Sequence, residues 1–246
     1  MTEQESLACT EPTPMLEFLR TQRTASERKL RLFAAACCRR VWDWLGEKSR
    51  RAIEGLELHL DGVATAEKLR LAAAGAYEDW LEEFGTHHPS NAAYSAVTFQ
   101  KVTSHEVACG VAAEIAEAVR CEASISKGIS LQGWPPPQVA NPAVRQVCIE
   151  AGNRAMTDEW VVQCNLLREI FHGPRSAIYF RSHWRTAIVL SLASGSYENK
   201  AFDSLPGIAN ALEEAGCDSP GILNHCRSEG PHILGCWVID LVLGRE

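Results

Sequence analysis

From Asn224 to Gly244 the chain reads NHCRSEGPHILGCWVIDLVLG, and His225, Cys226, His232 and Cys236 within it carry imidazole and thiol side chains. Zinc, a borderline-soft cation, accepts both donor types. If Pro231 opens a helix, His232 and Cys236 stand four residues apart on one face with Asp240 a turn further on, and that spacing lets two ligands converge on one ion. Cys217 lies upstream, across turns that Gly216 and Gly230 permit. Cys217, His225, Cys226, His232 and Cys236 are therefore the candidate zinc ligands, and no other cofactor is expected. The alternative for the same residues is packing. Ile233, Trp237, Leu241 and Cys236 make a stripe fit for a core, and His232 near a helix start can donate to a carbonyl. The spacing also matches none of the usual zinc-finger or zinc-ribbon patterns.

Other chemistry is thinner. In SHEVAC, His105 and Cys109 are spaced i, i+4 with Glu106 between, which superficially suggests a zincin helix lacking its second histidine, but no third ligand follows at a recognisable distance. The plainer alternative is a helical first turn in which Glu106 favours the dipole. His87 and His88 precede Pro89 in what reads as a solvated loop. There is no GxSxG, no glycine-rich phosphate loop and no paired-carboxylate motif.

Stepping from side chains to the segments that carry them, nearly everything reads as helix. Thr13 before Pro14 is a helix start, and Thr24 with Glu27 forms a capping box that opens a helix closed by Gly46. On that helix Leu30, Phe33, Ala34, Cys37, Cys38, Val41, Trp44 and Leu45 share one arc, and Arg28, Lys29, Arg31, Arg39 and Arg40 lie opposite. Further helices are expected over 49–60, 65–84 with Gly85 as stop, 91–101 and 105–123. The stretch KGISLQGWPPPQVANP, Lys127–Pro142, cannot continue a helix and is the candidate lobe boundary, or else a long surface loop. Asn141 and Pro142 then cap a helix expected to break near Thr157 and to end at Gly173–Pro174. SAIYF is the one β-like run, too short for a sheet. Helices over 184–192, 198–202 and 205–215, a turn over 219–226 and a last helix over 231–243 complete an all-α, irregular multi-helix bundle of about ten helices, as a single domain or two tightly packed lobes.

Composition narrows the function classes. With 46% apolar and 22% charged residues the chain can bury a core. Its acidic start and the lack of any apolar run near the ~18 residues of a membrane span predict a cytoplasmic protein with no membrane partner. The ten cysteines are dispersed without a CxxC pair, as reduced thiols used mostly for packing would be. A net charge of −7 makes nucleic acid an unfavourable partner. From Arg20 to Arg51, however, ten Lys/Arg face three acids, a local +7 that leaves −14 elsewhere. Arg28, Arg31, Arg39 and Arg40 are thus candidates for an anionic ligand or partner, with the acidic remainder of this chain equally available to pair with them.

LACTEPTPMLEFLR, KLRLFAAACCRRVWDWL, QCNLLREIFHGP, AFDSLPGIANALEEAGCDSPGILNHCR and GPHILGCWVIDLVLG together resemble a family of bacterial proteins present in many copies in planctomycetes, whose chains typically end in a GPHVRGCWVVDLLLGK segment. Leu234 stands where that family usually has arginine, and Phe171-His172-Gly173-Pro174 replaces a more usual FGNP turn. The resemblance implies that the N-terminal helices and the C-terminal element belong to one fold; it implies no activity, ligand or catalytic residue. Three function classes are consistent with the sequence. The foremost is a non-enzymatic interaction or adaptor module with a protein partner, since amphipathic helices abound and a catalytic set does not. A small-molecule or zinc-binding enzyme built on His225, His232 and Cys236 is the second. An anion or nucleic-acid binder working through the basic helix is the third.

Overall fold

The computed structural model describes residues 3–23, 25–82, 89–98, 103–125, 142–171 and 180–245. The expected Thr24 cap, the Gly85 stop, His87 and His88, residues 127–141 of the proline-rich stretch and the Gly173–Pro174 stop lie outside them, as does the β-like run except Phe180. Among the described residues there is no strand, and twelve α-helices make the protein all-α. They are α1 (Glu3–Ala8), α2 (Pro12–Gln22), α3 (Glu27–Arg40), α4 (Glu47–Leu60), α5 (Ala66–Glu82), α6 (Pro89–Val97), α7 (Ser104–Ile125), α8 (Pro142–Ile170), α9 (Ala187–Glu198), α10 (Leu205–Glu214), α11 (Pro220–Arg227) and α12 (Trp237–Leu243). The chain divides into two compact units, one of residues 9–164 and the other of 1–8 with 165–246, so the division falls within α8.

In the first unit α3 is flanked by α7 and α4, and α4 to α7 pack in succession. Leu30, Phe33, Ala34, Cys37 and Cys38 of α3 are all buried, as its apolar arc requires. Its start differs in detail from the expected one: Ser26 is the N-cap, its hydroxyl accepting from the Lys29 amide at 3.2 Å. It also ends at Arg40 rather than at Gly46. The Arg50 guanidinium takes the carbonyls of Trp42 (2.9 Å) and Asp43 (3.2 Å), which satisfies a 3-10 turn there in place of further α-helix. Gly46 instead caps α4, where a Cβ would collide with Asp79, the residue whose carboxylate accepts from the Ser49 amide at 2.7 Å. Similarly α2 begins at Pro12 with Glu11 at its N-cap, earlier than the expected start at Thr13–Pro14. The helix α8 runs through Thr157 unbroken, and that hydroxyl finds its acceptor inside the helix, donating to the Asn153 carbonyl one turn back (3.0 Å).

The second unit carries the C-terminal cluster. Trp184, Val189, Leu205, Ile208, Leu212, Ile222, Val238 and Val242 form its core. The Trp184 indole donates to the Gly216 carbonyl at 3.1 Å, beside the turn that ends α10. Residues expected as a helix over 198–202 are the end of α9 and a 3-10 turn at Phe202–Ser204. The expected turn over 219–226 is the two-turn helix α11, with Pro220 in its first turn and Ile222, Leu223 and Cys226 buried. The last helix begins at Trp237, not Pro231, and residues 228–236 form a loop in which Gly230 (φ 93°) and Gly235 (φ 89°) both take left-handed backbone. Arg185 clamps the far end of α12, donating to the carbonyls of Val242 (2.9 Å) and Leu241 (2.8 Å) that the helix leaves unpaired.

Candidate metal centre

Three helices and a loop of the second unit converge on one point. Glu169 is the penultimate residue of α8, His225 belongs to α11, His232 to the loop, and Cys236 is the N-cap of α12. One ligand-type atom from each of the four lies within 4.8 Å of all the others. The Glu169 carboxylate is the centre: one oxygen is 3.0 Å from His232 Nδ1 and the other 3.4 Å from His225 Nε2. His225 Nε2 is in turn 3.2 Å from Cys236 Sγ. Tetrahedral bonds of about 2.0–2.3 Å would place adjacent ligand atoms roughly 3.3–3.8 Å apart, and the three separations above lie near that range while every pair stays within 4.8 Å. All four side chains are largely enclosed, with Glu169 at 5%, His232 at 7%, His225 at 14% and Cys236 at 1% exposure.

Hydrogen-bond partners fix the protons. His232 Nε2 faces the Ser228 carbonyl at 3.1 Å, and its Nδ1 faces Glu169. Neither partner can donate, so with no cation bound the geometry favours a proton on each ring nitrogen. Burial opposes that charge, but the hydrogen bond and the negative charge of Glu169 outweigh it and raise the His232 pKa. Burial likewise works against ionised Glu169, and the hydrogen bonds from His225 and His232 more than offset it, holding the carboxyl below its ordinary range. Burial pushes the Cys236 thiol well up and the Glu169 charge adds to this, so without a cation it is a thiol rather than a nucleophile. His225 differs from His232: its Nδ1 accepts from the Trp237 indole N–H at 3.0 Å.

Of the five candidate ligands, the structure brings together His225, His232 and Cys236, through the loop rather than along one helical face. Cys217 and Cys226 are buried in the hydrophobic core of the unit and are not part of the group. Burial, with the charges of Glu169 and Cys217 behind it, pushes the Cys226 thiol up to about 12. Asp240 is fully buried on α12, also outside the group. Glu169 was not anticipated. Its signal is a carboxylate among Leu166, Leu167 and Ile170, all buried, on a helix face that should carry no charge.

A second group, Glu17, His105 and Cys109, lies in the first unit and is half-buried. His105 Nε2 meets the Leu16 carbonyl at 3.0 Å. Glu17 already holds the Arg20 guanidinium at 2.6 Å, a fixed positive charge that works against a cation. Glu106 is not a member. It accepts from the Thr103 amide at 2.7 Å, and Thr103 Oγ1 accepts from the Glu106 amide at 3.2 Å, a capping box at the start of α7.

The four candidate anion-binding arginines all have partners within the first unit. Arg28 pairs with Asp61 (3.3 Å), Arg39 with Glu57 (2.7 Å) and Arg40 with Glu159 (3.3 Å). Arg31 does not lie on an outer face, being 1% exposed and donating to the Ala96 (2.8 Å) and Thr98 (2.6 Å) carbonyls. No helix among the described residues is long and apolar enough to cross a membrane.

Fold and site together define an all-α protein with a candidate metal-binding cluster. No protein-family model matches this chain, no curated protein matches its sequence and no solved structure matches its fold.

Proposed function

We propose that this protein binds a zinc-type transition-metal ion in its C-terminal unit, through Glu169, His232 and Cys236 with His225 beside them. The observation that carries this reading is the meeting of four enclosed oxygen, nitrogen and sulfur donors within 4.8 Å. The chemistry of the set is apt. Imidazole and thiolate select zinc over magnesium or calcium, and a carboxylate completes the charge balance. A cation there would displace the protons of His232 Nδ1 and of the Cys236 thiol, converting a costly buried proton network into bonds. The His232 Nε2–H against the Ser228 carbonyl is the outer hydrogen bond that orients a metal-binding imidazole.

Elemental analysis of untagged protein purified without chelator tests this, with wild type beside a His232→Ala, Cys236→Ala double variant. Close to one zinc or iron per chain, lost in the variant, is the expected result. Wild-type protein that is folded and takes up no metal when dialysed against zinc would overturn the proposal whatever the variant does.

A further inference from the structure

The two histidines of the cluster are backed by opposite kinds of group. Behind His232 stands a carbonyl, which can only accept; behind His225 stands an indole N–H, which can only donate. The consequence for coordination is direct. A neutral imidazole has one proton and one lone pair. At His232 the carbonyl of Ser228 holds the proton on Nε2, leaving the Nδ1 lone pair free to bind a cation. At His225 the Trp237 N–H occupies the Nδ1 lone pair at 3.0 Å, so the ring proton sits on Nε2, the nitrogen that faces the cluster. That N–H has acceptors waiting, Cys236 Sγ at 3.2 Å and a Glu169 oxygen at 3.4 Å. To enter the coordination shell through Nε2, His225 would have to become an imidazolate or move its proton to Nδ1, where it would face the Trp237 N–H head on.

Resting on the metal-binding reading above, we infer that His225 is an outer hydrogen-bond donor to the Cys236 and Glu169 ligands, and that the cation has three protein ligands with its fourth position left to water or a small anion. Trp237 is the positioning residue that enforces this, acting through His225. Three protein ligands and one exchangeable position make up the arrangement of reactive zinc sites, whereas purely structural sites are closed by four. The ligand class this site takes from solution is therefore a small, oxygen- or nitrogen-donor anion able to bond the cation directly.

Cobalt(II) substitution with azide as the probe tests the inference on the full-length chain. Cobalt reports thiolate ligation through a charge-transfer band and coordination number through its visible bands, and azide enters only an exchangeable position. Wild type is expected to take up one cobalt per chain, to show the thiolate band and to shift its visible bands on azide addition. Trp237→Phe, which frees His225 Nδ1 and lets the ring close the shell, is expected to keep the cobalt and weaken the azide response about tenfold or more. Loss of an outer hydrogen-bond partner typically costs 10–100-fold in metal affinity, whereas loss of a ligand costs more. His225→Ala is accordingly expected to retain cobalt at stoichiometric loading. Visible bands that ignore azide in wild type, or a His225→Ala protein that is folded but takes up no cobalt, would overturn the inference and leave metal binding itself standing. Wild type that takes up no cobalt at all overturns both.

Discussion

Glu169 and Glu114 are enclosed carboxyls whose neighbours send them in opposite directions. Donors surround Glu169 and keep it ionised. Glu114 on α7 has one, the Asn91 amide at 2.6 Å, while its other oxygen is buried with no hydrogen-bond partner among the described residues. Burial pushes its pKa from the ordinary 4.5 up to about 7. The fold thus binds this proton more tightly than the unfolded chain does, and between those two values the native state holds more protons. Stability is therefore full below the unfolded value and falls as pH rises toward the folded one, levelling off beyond it. The penalty reaches at most about 3 kcal/mol, since one pKa unit is worth about 1.4 kcal/mol and partial exposure softens the effect. Urea unfolding midpoints measured from pH 5 to 8.5 should decline in wild type and lose this component in Glu114→Gln. An unchanged slope in the variant would place the titration elsewhere.

At the scale of elements, the loop between α11 and α12 decides whether the cluster can form. Gly230 has φ 93°, and a Cβ there would lie 2.8 Å from the backbone nitrogen of His232. Backbone cannot swing aside as a side-chain tip can, so Gly230→Ala should displace His232. We expect a loss of about 1–3 kcal/mol in thermal unfolding and weaker metal uptake by equilibrium dialysis. A variant with unaltered uptake would show that the loop tolerates a different path. Ser26→Ala removes the cap of α3 and should cost about 1 kcal/mol by denaturant titration while leaving metal uptake untouched, because the cap belongs to the other unit. These elements also show what the sequence made legible. The apolar arc of α3 and the helical character of almost every segment follow from 3.6-residue periodicity, which needs no knowledge of neighbours. Helix ends were less legible, because they depend on distant groups such as Arg50 on the Trp42 carbonyl and Asp79 on the Ser49 amide. The cluster was half legible. His225, His232 and Cys236 stand out by type, but Pro231 suggested a helix where the glycines build a loop. Glu169, more than fifty residues away, is joined to them only by tertiary folding. Arg31 shows the same limit. A charge opposite an apolar arc reads as outward, and the distant carbonyls of Ala96 and Thr98 with the Ser104 hydroxyl make a buried guanidinium tolerable.

Over the whole molecule, the division into two units gives metal binding a local signature. All four cluster residues belong to the unit of 1–8 with 165–246, and none to residues 9–164. A ligand that binds the native state stabilises it against every opening that breaks the site, and leaves untouched an opening that keeps the site intact. The stabilisation amounts to about 2.7 kcal/mol when free ligand is a hundredfold above its dissociation constant, which corresponds to about a hundredfold slowing of exchange. Amide hydrogen exchange of the full-length chain, with and without zinc, therefore has a defined expectation. The amides of α11, the 228–236 loop and α12 open by releasing His225, His232 or Cys236, and they should slow by up to that factor. The amides of α4 and α5, which fray by local openings far in sequence from any ligand, should not. Arg185 extends the prediction, because its two hydrogen bonds tie the end of α12 to the start of α9. Zinc protection should reach the first amides of α9 in wild type and retreat from them in Arg185→Met, with the loop still protected. Protection absent from the loop and α12 at saturating zinc would mean that no cation is held there, and that the proton network among Glu169, His225, His232 and Cys236 is itself the packing device of the C-terminal unit.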